Sequence, residues 1–253
     1  MDYNSAEYYI EHLDIIDSTN SYARENAAHL WAAACGAKAI VVYAREQTAG
    51  RGQRGNVWQS QAGENLLASI VVRPVSLPVH LQFALSQAIA LAVRAAMGYM
   101  NVDTQLKWPN DIYAGKRKLA GILVELDCCS ELVEQAVIGV GLNVNQEQFA
   151  PMDKVPVSMK MLTGETYDVD EVLGVLLDSF SYYYSLLESG NYSLLAADYK
   201  AHLLGYKKVM RYCDAVTCFD ARIVDVHSNG HLCLQCTDGS TRTYAFKDVE
   251  LVI

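Results

Sequence analysis

Three short apolar runs, at residues 104–108, 119–126 and 136–144, follow one another with no helix-length segment between them. Runs of that length bounded by turn residues are the pattern of strands that share one sheet. Two earlier runs, 39–44 and 66–72, have the same character. Helical patterns flank them. Asp17 and Ser18 precede a periodic stretch through Asn20, Tyr22, Ala23, Ala27 and Leu30, which predicts one capped helix. Ser76 and Pro78 open a second, with Leu81, Leu85, Ile89 and Ala92 on one face up to Gly98. Asp168 with Glu171 has the form of a capping box ahead of a third, carried by Val172, Leu176, Leu177, Phe180, Tyr184 and Leu187 and ending at Gly190. A shorter helix reaches about Leu204.

After Gly205 the period becomes two, in four or five strands with turns at 228–230 and 238–239. The expected fold class is therefore α+β. A mixed β-sheet flanked by helices fills residues 1–204, and a small β-barrel fills 205–253.

Composition narrows the function. At 51% hydrophobic, the chain of 253 residues can bury a core, which excludes general disorder. Its most apolar helical stretch, 85–97, is interrupted by Arg94, so no membrane span and no membrane partner are expected. Met1, Asp2, Tyr3 and Asn4 lack the basic-then-apolar opening of a secretory signal, which places the protein in the cytoplasm. With 20 basic against 29 acidic residues, the formal charge of −9 argues against a nucleic-acid partner, whose phosphates need neutralising. The seven cysteines are expected as reduced thiols. Cys233 and Cys236 have zinc-knuckle spacing, with Cys213 and Cys218 upstream. On a strand, however, residues three apart point to opposite faces, so no protein-bound metal is expected.

Gly50 to Gly55 reads Gly-Arg-Gly-Gln-Arg-Gly, which fits the dinucleotide fingerprint letter for letter. The context does not fit, because a polar stretch and a second strand follow where the fingerprint requires a helix. The P-loop pattern fails too, since Asn56 and Val57 stand in place of lysine and serine or threonine. Three glycines and two arginines in six residues form either a solvated surface loop or a cationic nest for a phosphate or carboxylate. A second cluster is Lys107, Trp108, Pro109, Asn110 and Asp111, followed by Lys116 to Gly121. Its proline halts a strand and leaves polar groups at the sheet's end, as a turn or as a site. A third run, Gly139 to Asn145, alternates small, apolar and amide residues, and its glycines let a ligand approach the backbone.

With the three clusters in this order, preceded by Ser18, Thr19 and Asn20 and by Gln47, the sequence resembles the biotin protein ligases. The resemblance spans motifs from about residue 13 to 145. It implies a sheet-and-helix catalytic domain like that of class II aminoacyl-tRNA synthetases, followed by an SH3-like barrel. It implies an ATP-dependent ligase that makes biotinyl-5′-AMP from biotin and ATP, with Mg2+ carried on the ATP phosphates. Biotin then passes to one lysine of a biotin carboxyl carrier protein.

By the same resemblance, biotin would be held by Ser18, Thr19, Asn20, Gln47, Gly50, Arg51, Gly52, Gln53, Lys118 and Gly121. ATP would meet Arg51, Arg54, Trp58, Lys107, Asn110 and Asn143, and the catalytic groups would be Lys107, Asp111 and Arg51. Gln53 stands where the best-known members carry a second arginine. Only 17 residues precede Ser18, so the resemblance is to the enzyme-only form without a DNA-binding winged helix, as a monomer or weak homodimer. Ser158 to Met161 imitates a carrier's acceptor sequence, but Lys160 precedes a helix rather than capping a hairpin. Two other functions compete: a lipoate protein ligase, and a non-catalytic biotin-binding regulator. Polar Ser18, Thr19 and Asn20 suit a ureido head better than a dithiolane, and a sensor has no need of Lys107, Asp111 and Lys118.

Overall fold

The structure, a computed structural model, describes residues 7–151 and 154–253, with the backbone alone at Arg54. The four residues read for a secretory signal lie outside the described residues. The body opens with β1 (Tyr8–Ile16), α1 (Thr19–Glu25), α2 (Ala27–Ala33), β2 (Ala39–Gln47) and β3 (Asn65–Val72). It continues with α3 (Phe83–Tyr99), β4 (Gln105–Lys107), β5 (Asp111–Ala114), β6 (Arg117–Cys129) and β7 (Leu132–Asn143). Three helices follow: α4 (Met159–Thr163), α5 (Val169–Glu188) and α6 (Tyr192–Ala201). The tail is all strand: β8 (Met210–Asp214), β9 (Cys218–Val226), β10 (Leu232–Cys236), β11 (Thr241–Tyr244) and β12 (Val249–Leu251).

The seven strands of the body form one sheet in the order β1-β2-β3-β7-β6-β5-β4. Only β1 and β2 pair in parallel, joined by a crossover through α1 and α2. Alternation along the strands sorts the residues by face. Ala39, Val41 and Tyr43 of β2 join the large core, while Ile40 and Val42 pack with Ala23 and Leu30 of α1 and α2. The large core also takes Ile70 of β3, Ile122 of β6 and Ile138 and Val140 of β7. Their neighbours Ser69, Gly121, Gly139 and Gly141 therefore open onto the face of α1, where the site lies.

The sheet runs across the expected strands, with 119–126 extended at both ends, 136–144 at its start and 104–108 shortened to β4, and it adds two that the pattern hid. β1 is a half-exposed edge strand carrying Glu11 and Asp14, too polar to stand out. β5 sits between Pro109 and a basic turn, which masked it. The single helix expected from Asn20 to Leu30 is two. The Asn26 side chain donates to the Tyr22 carbonyl at 3.0 Å, and competition of this kind ends α1. α5 starts as expected, with Asp168 accepting from the Asp170 amide at 2.9 Å.

Val79–Tyr99 is in fact long and apolar enough to cross a membrane, with a mean hydropathy of 1.3, contrary to the reading of 85–97. Two-thirds of that stretch is buried in the protein, because α3 packs against β4, β5 and β6 of the sheet and against the other long helix, α5.

The five tail strands form a second, antiparallel sheet, β11-β10-β9-β8-β12, which is the expected small β domain. Its core is continuous with that of the body. Phe83 at the start of α3 meets Phe246, and the Trp108 indole N–H donates to the Gly230 carbonyl at 2.9 Å. Gly230 has φ of 88°, and a Cβ there would stand 2.6 Å from Phe246 and 2.8 Å from Phe83. Cys213 and Cys218, expected as thiols, are disulfide-bonded, since they oppose each other across the β8–β9 hairpin. Cys233 is half-buried and Cys236 buried on alternate faces of β10. Lys160, expected ahead of a helix, lies within α4 and pairs with Glu147 at 2.7 Å.

Phe180 is buried in the large core and stacks on Tyr184 at 5.3 Å between centroids. Phe180→Ala should cost about 3–5 kcal/mol by leaving a cavity between α5 and the sheet. Urea unfolding checks this: the midpoint falls while the slope stays unchanged.

Candidate functional site

A cavity of about 410 Å³ opens on the site face of the large sheet and is roofed in part by the tail sheet. Its polar floor is built at the start of α1. Ser18 is the N-cap, in extended backbone, and its hydroxyl accepts from the Ser21 amide at 3.5 Å. The Thr19 amide and hydroxyl reach Gln47 Oε1 at 2.7 and 3.1 Å. The Ser69 hydroxyl donates to Asn20 Oδ1 at 2.6 Å and lies 2.8 Å from Thr19 Oγ1. Asn20 Nδ2 donates to Glu125 Oε2 at 2.9 Å. Ser18, Thr19, Asn20 and Ser69 are all buried, and their polar atoms bond to one another, to Gln47, Glu125 and the Ser21 amide, or face the cavity.

The glycine loop lies over this floor. Trp58 crosses the sheet where two glycines make room for it: a Cβ on Gly141 would stand 2.5 Å from its ring, and one on Gly121 3.1 Å. A Cβ on Gly139 would collide with the Asn20 amide. Gly50 approaches closely too, since its Cβ would stand 2.5 Å from the Trp58 carbonyl oxygen. The Trp58 indole N–H is buried and has no partner among the described residues. Arg51 donates to Glu125 at 2.8 and 3.3 Å, and Lys247 of the tail donates to the Gln53 carbonyl at 3.0 Å.

The other end of the cavity is cationic. Lys107 ends β4, directly opposite Asp111 of β5. Lys118 Nζ stands 2.6 Å from Asp111 Oδ1, and Lys154 Nζ 3.1 Å from Oδ2. Lys107 Nζ is 4.0 Å from Glu250 of β12. Three ammonium groups thus face two carboxylates, which leaves one positive charge uncompensated. Burial of Lys107, with Lys154 nearby, pushes its pKa below the usual lysine range. Burial alone would raise Asp111, but Lys118 and Lys154 hold its carboxyl below the ordinary value.

Most of the expected residues come together here. Ser18, Thr19, Asn20, Gln47, Arg51, Gly52, Gln53, Trp58, Lys107, Asn110, Asp111, Lys118 and Gly121 line one cavity. Asn110 also braces the sheet, donating to the Ile122 carbonyl at 2.6 Å. Asn143 is not part of the lining; its amide ties down the Val157 carbonyl at 3.1 Å. Gly50 stands behind the lining, and the Arg54 side chain lies outside the described residues.

Sequence reasoning missed Ser69, Glu125, Lys154 and the contributions of the tail. Ser69 interrupts an apolar strand, and Glu125 lies an even number of residues from Gly121, so both carried a signal. Among the described residues no group of three or more His, Cys, Asp or Glu side chains is placed to hold a metal.

Residues 13–143 match the biotin/lipoate A/B protein ligase family. The bifunctional ligase/repressor BirA of Bacillus spizizenii is 30% identical over 244 residues, a match covering 94% of this chain and 72% of that protein. The biotin–[acetyl-CoA-carboxylase] ligase of Mycobacterium tuberculosis is 39% identical over 156 residues, or 59% of this chain and 54% of that one. Among solved structures, the biotin protein ligase of Aquifex aeolicus in complex with biotin and ATP superposes with a TM-score of 0.76 at 22% identity. That superposition covers 96% of this chain and 98% of the other, and it shows a shared fold.

The Asp111 cluster sets an acid limit on stability. A carboxyl with a lowered folded-state pKa stabilises the fold fully above its unfolded value, about 3.9. The contribution is lost as pH falls through the folded value. Asp111→Asn should therefore lose less stability than the wild type as pH is lowered below about 4, read from denaturant melts at stepped pH. An unchanged acid limb would contradict the assignment.

Proposed function

The chain belongs to the biotin/lipoate A/B protein ligase family, and from that premise we propose that it is a biotin protein ligase. It activates biotin with ATP as biotinyl-5′-AMP, releasing pyrophosphate, and transfers the biotinyl group to a lysine amine. The observation that carries this reading is one cavity with two chemically distinct ends. Neutral donors and acceptors at Ser18, Thr19, Asn20 and Gln47 suit a ureido head, which offers both N–H and C=O. The lysine cluster suits a carboxylate approaching a phosphate.

That approach sets two anions against each other, so a cation must sit between them and remain as charge develops. Lys107 is best placed for it. Lys118 and Lys154 are both engaged by Asp111, whereas the carboxylate nearest Lys107 is Glu250 at 4.0 Å. Asp111 acts through the two lysines it holds and is assigned a positioning role. Trp58, with its unpartnered indole N–H, is assigned to the wall against which the nucleotide rests.

Further assignments belong to the same proposal. Mg2+ enters on the phosphates of ATP rather than at a site of the protein's own. The acceptor is the carrier domain of a cytoplasmic biotin-dependent carboxylase. Residues 1–204 form the catalytic body and 205–253 the small β domain. The second domain contributes to the cavity through Tyr212, Lys247 and Glu250, which line it.

Single-turnover formation of biotinyl-5′-AMP at saturating biotin separates chemistry from binding. Lys107→Ala should slow that step by about a hundredfold to a thousandfold, equivalent to about 3–4 kcal/mol. Asn20→Ala should chiefly weaken biotin binding, by about 1–3 kcal/mol, because it strips partners from Ser69 and Glu125. A wild-type rate for Lys107→Ala once biotin saturates would contradict this division of roles.

A further inference from the structure

Glu125 lies on β6 four residues beyond Gly121, on the site face, and its side chain is 14% exposed. One carboxylate there meets three residues from two other parts of the chain. Its Oε1 accepts from Arg51 Nη2 at 2.8 Å and lies 3.5 Å from Arg24 Nη1. Its Oε2 accepts from Arg51 Nη1 at 3.3 Å and from Asn20 Nδ2 at 2.9 Å. Arg51 belongs to the glycine loop, and Asn20 and Arg24 to α1.

We propose that Glu125 is a positioning residue of the pocket, whose carboxylate fixes the orientation of the Asn20 amide and ties the glycine loop to the sheet through Arg51. The first part follows from the inventory of donors. An asparagine amide can turn over, exchanging its oxygen and nitrogen, unless its neighbours differ. Here the Ser69 hydroxyl donates to Oδ1 on one side, and on the other Nδ2 donates to two acceptor-only groups, the Glu125 carboxylate at 2.9 Å and, more weakly, the Leu123 carbonyl at 3.4 Å. One orientation is therefore selected, with Glu125 the stronger hold. The second part follows from the fork geometry of Arg51. Two parallel N–H···O bonds to one carboxylate define direction as well as distance, which a single contact to a lysine would not.

Three glycines in the loop make such a tether worth having, because their backbone freedom otherwise favours an open ensemble. The neighbouring pair Arg24–Asp127, at 3.0 Å with both side chains more than 40% exposed, touches neither Asn20 nor the loop. Arg24 itself reaches Glu125 at 3.5 Å, so Asp127, rather than the pair, is the internal control for losing an exposed charge beside the cluster.

The inference rests on the biotin reading only for its affinity arm. Glu125→Gln keeps the size and one acceptor oxygen but removes the charge that Arg51 needs; Glu125→Ala removes everything. In the ligand-free protein, trypsin should cut after Arg51 or Arg54 about tenfold faster in both variants than in wild type, with fragments identified by mass. Asp127→Asn should be cut at the wild-type rate.

In adenylate formation, the biotin concentration giving half the maximal rate should rise severalfold in Glu125→Ala with the maximal rate little changed. Melting temperatures, taken in parallel, confirm that the compared variants are folded. Wild-type cutting in Glu125→Gln overturns the tether, and an unmoved biotin requirement in a folded Glu125→Ala overturns the role at Asn20. Failure of the biotin reading itself would show differently, as no biotin-dependent adenylate from the wild type.

Discussion

The site depends on a steric constraint: side chains on a strand alternate, so one strand can fill a core on one face and leave space on the other. β6 and β7 do both. Their core face carries Ile122, Ile138 and Val140 against the helices, and their site face carries Gly121, Gly139 and Gly141. A methyl group at Gly139 would strike Asn20, and one at Gly141 would strike Trp58. The position of the polar floor and that of the loop above it are therefore both set by missing side chains on two neighbouring strands. A register slip of one residue would exchange the faces and place isoleucine where the ligand must lie.

Charge then distinguishes the two ends of the space. The floor near α1 is built of neutral side chains bonded to one another, while the end near β4 and β5 collects Lys107, Lys118 and Lys154 around Asp111. Burial makes this cluster consequential. An ammonium group in a shielded pocket is costly until an anion arrives, so binding an anion relieves the cost and the charge is concentrated where the reaction develops it. The tail domain takes part directly, since Glu250 faces Lys107 and Lys247 holds the glycine loop at Gln53. A small β domain is thus built into the wall of the cavity, with a core that continues into the body.

Much of this was legible in the sequence, for identifiable reasons. The apolar runs at 39–44 and 66–72 stood out because both faces of those strands are covered, and those at 119–126 and 136–144 because their core faces are apolar and their site faces small. The helices of the far face announced themselves by period, with a cap at α5; α3 begins at Phe83, later than Ser76 and Pro78 suggested. β1 and β5 were hidden by polarity and by a proline, and Asn26 divided a helix whose pattern ran straight through it. The motifs located most of the lining, since glycine, lysine and asparagine clusters carry chemistry visible without coordinates. They could not show which side chains point inward: Asn143 turned out to brace the backbone of Val157 and Lys118. Nor could they reveal partners far along the chain. Arg51 looked like an uncompensated charge until the fold brought Glu125, 74 residues away, beneath it.

In this cavity the neutral end selects the acid that the cationic end activates. Exchange of labelled pyrophosphate into ATP, measured with biotin and then with lipoate as the sole acid, tests it most directly, because exchange occurs only when the acyl adenylate forms reversibly. Exchange that requires biotin and is negligible with lipoate is the result predicted by a floor of Ser18, Thr19, Asn20 and Gln47. Equal or greater exchange with lipoate would contradict it.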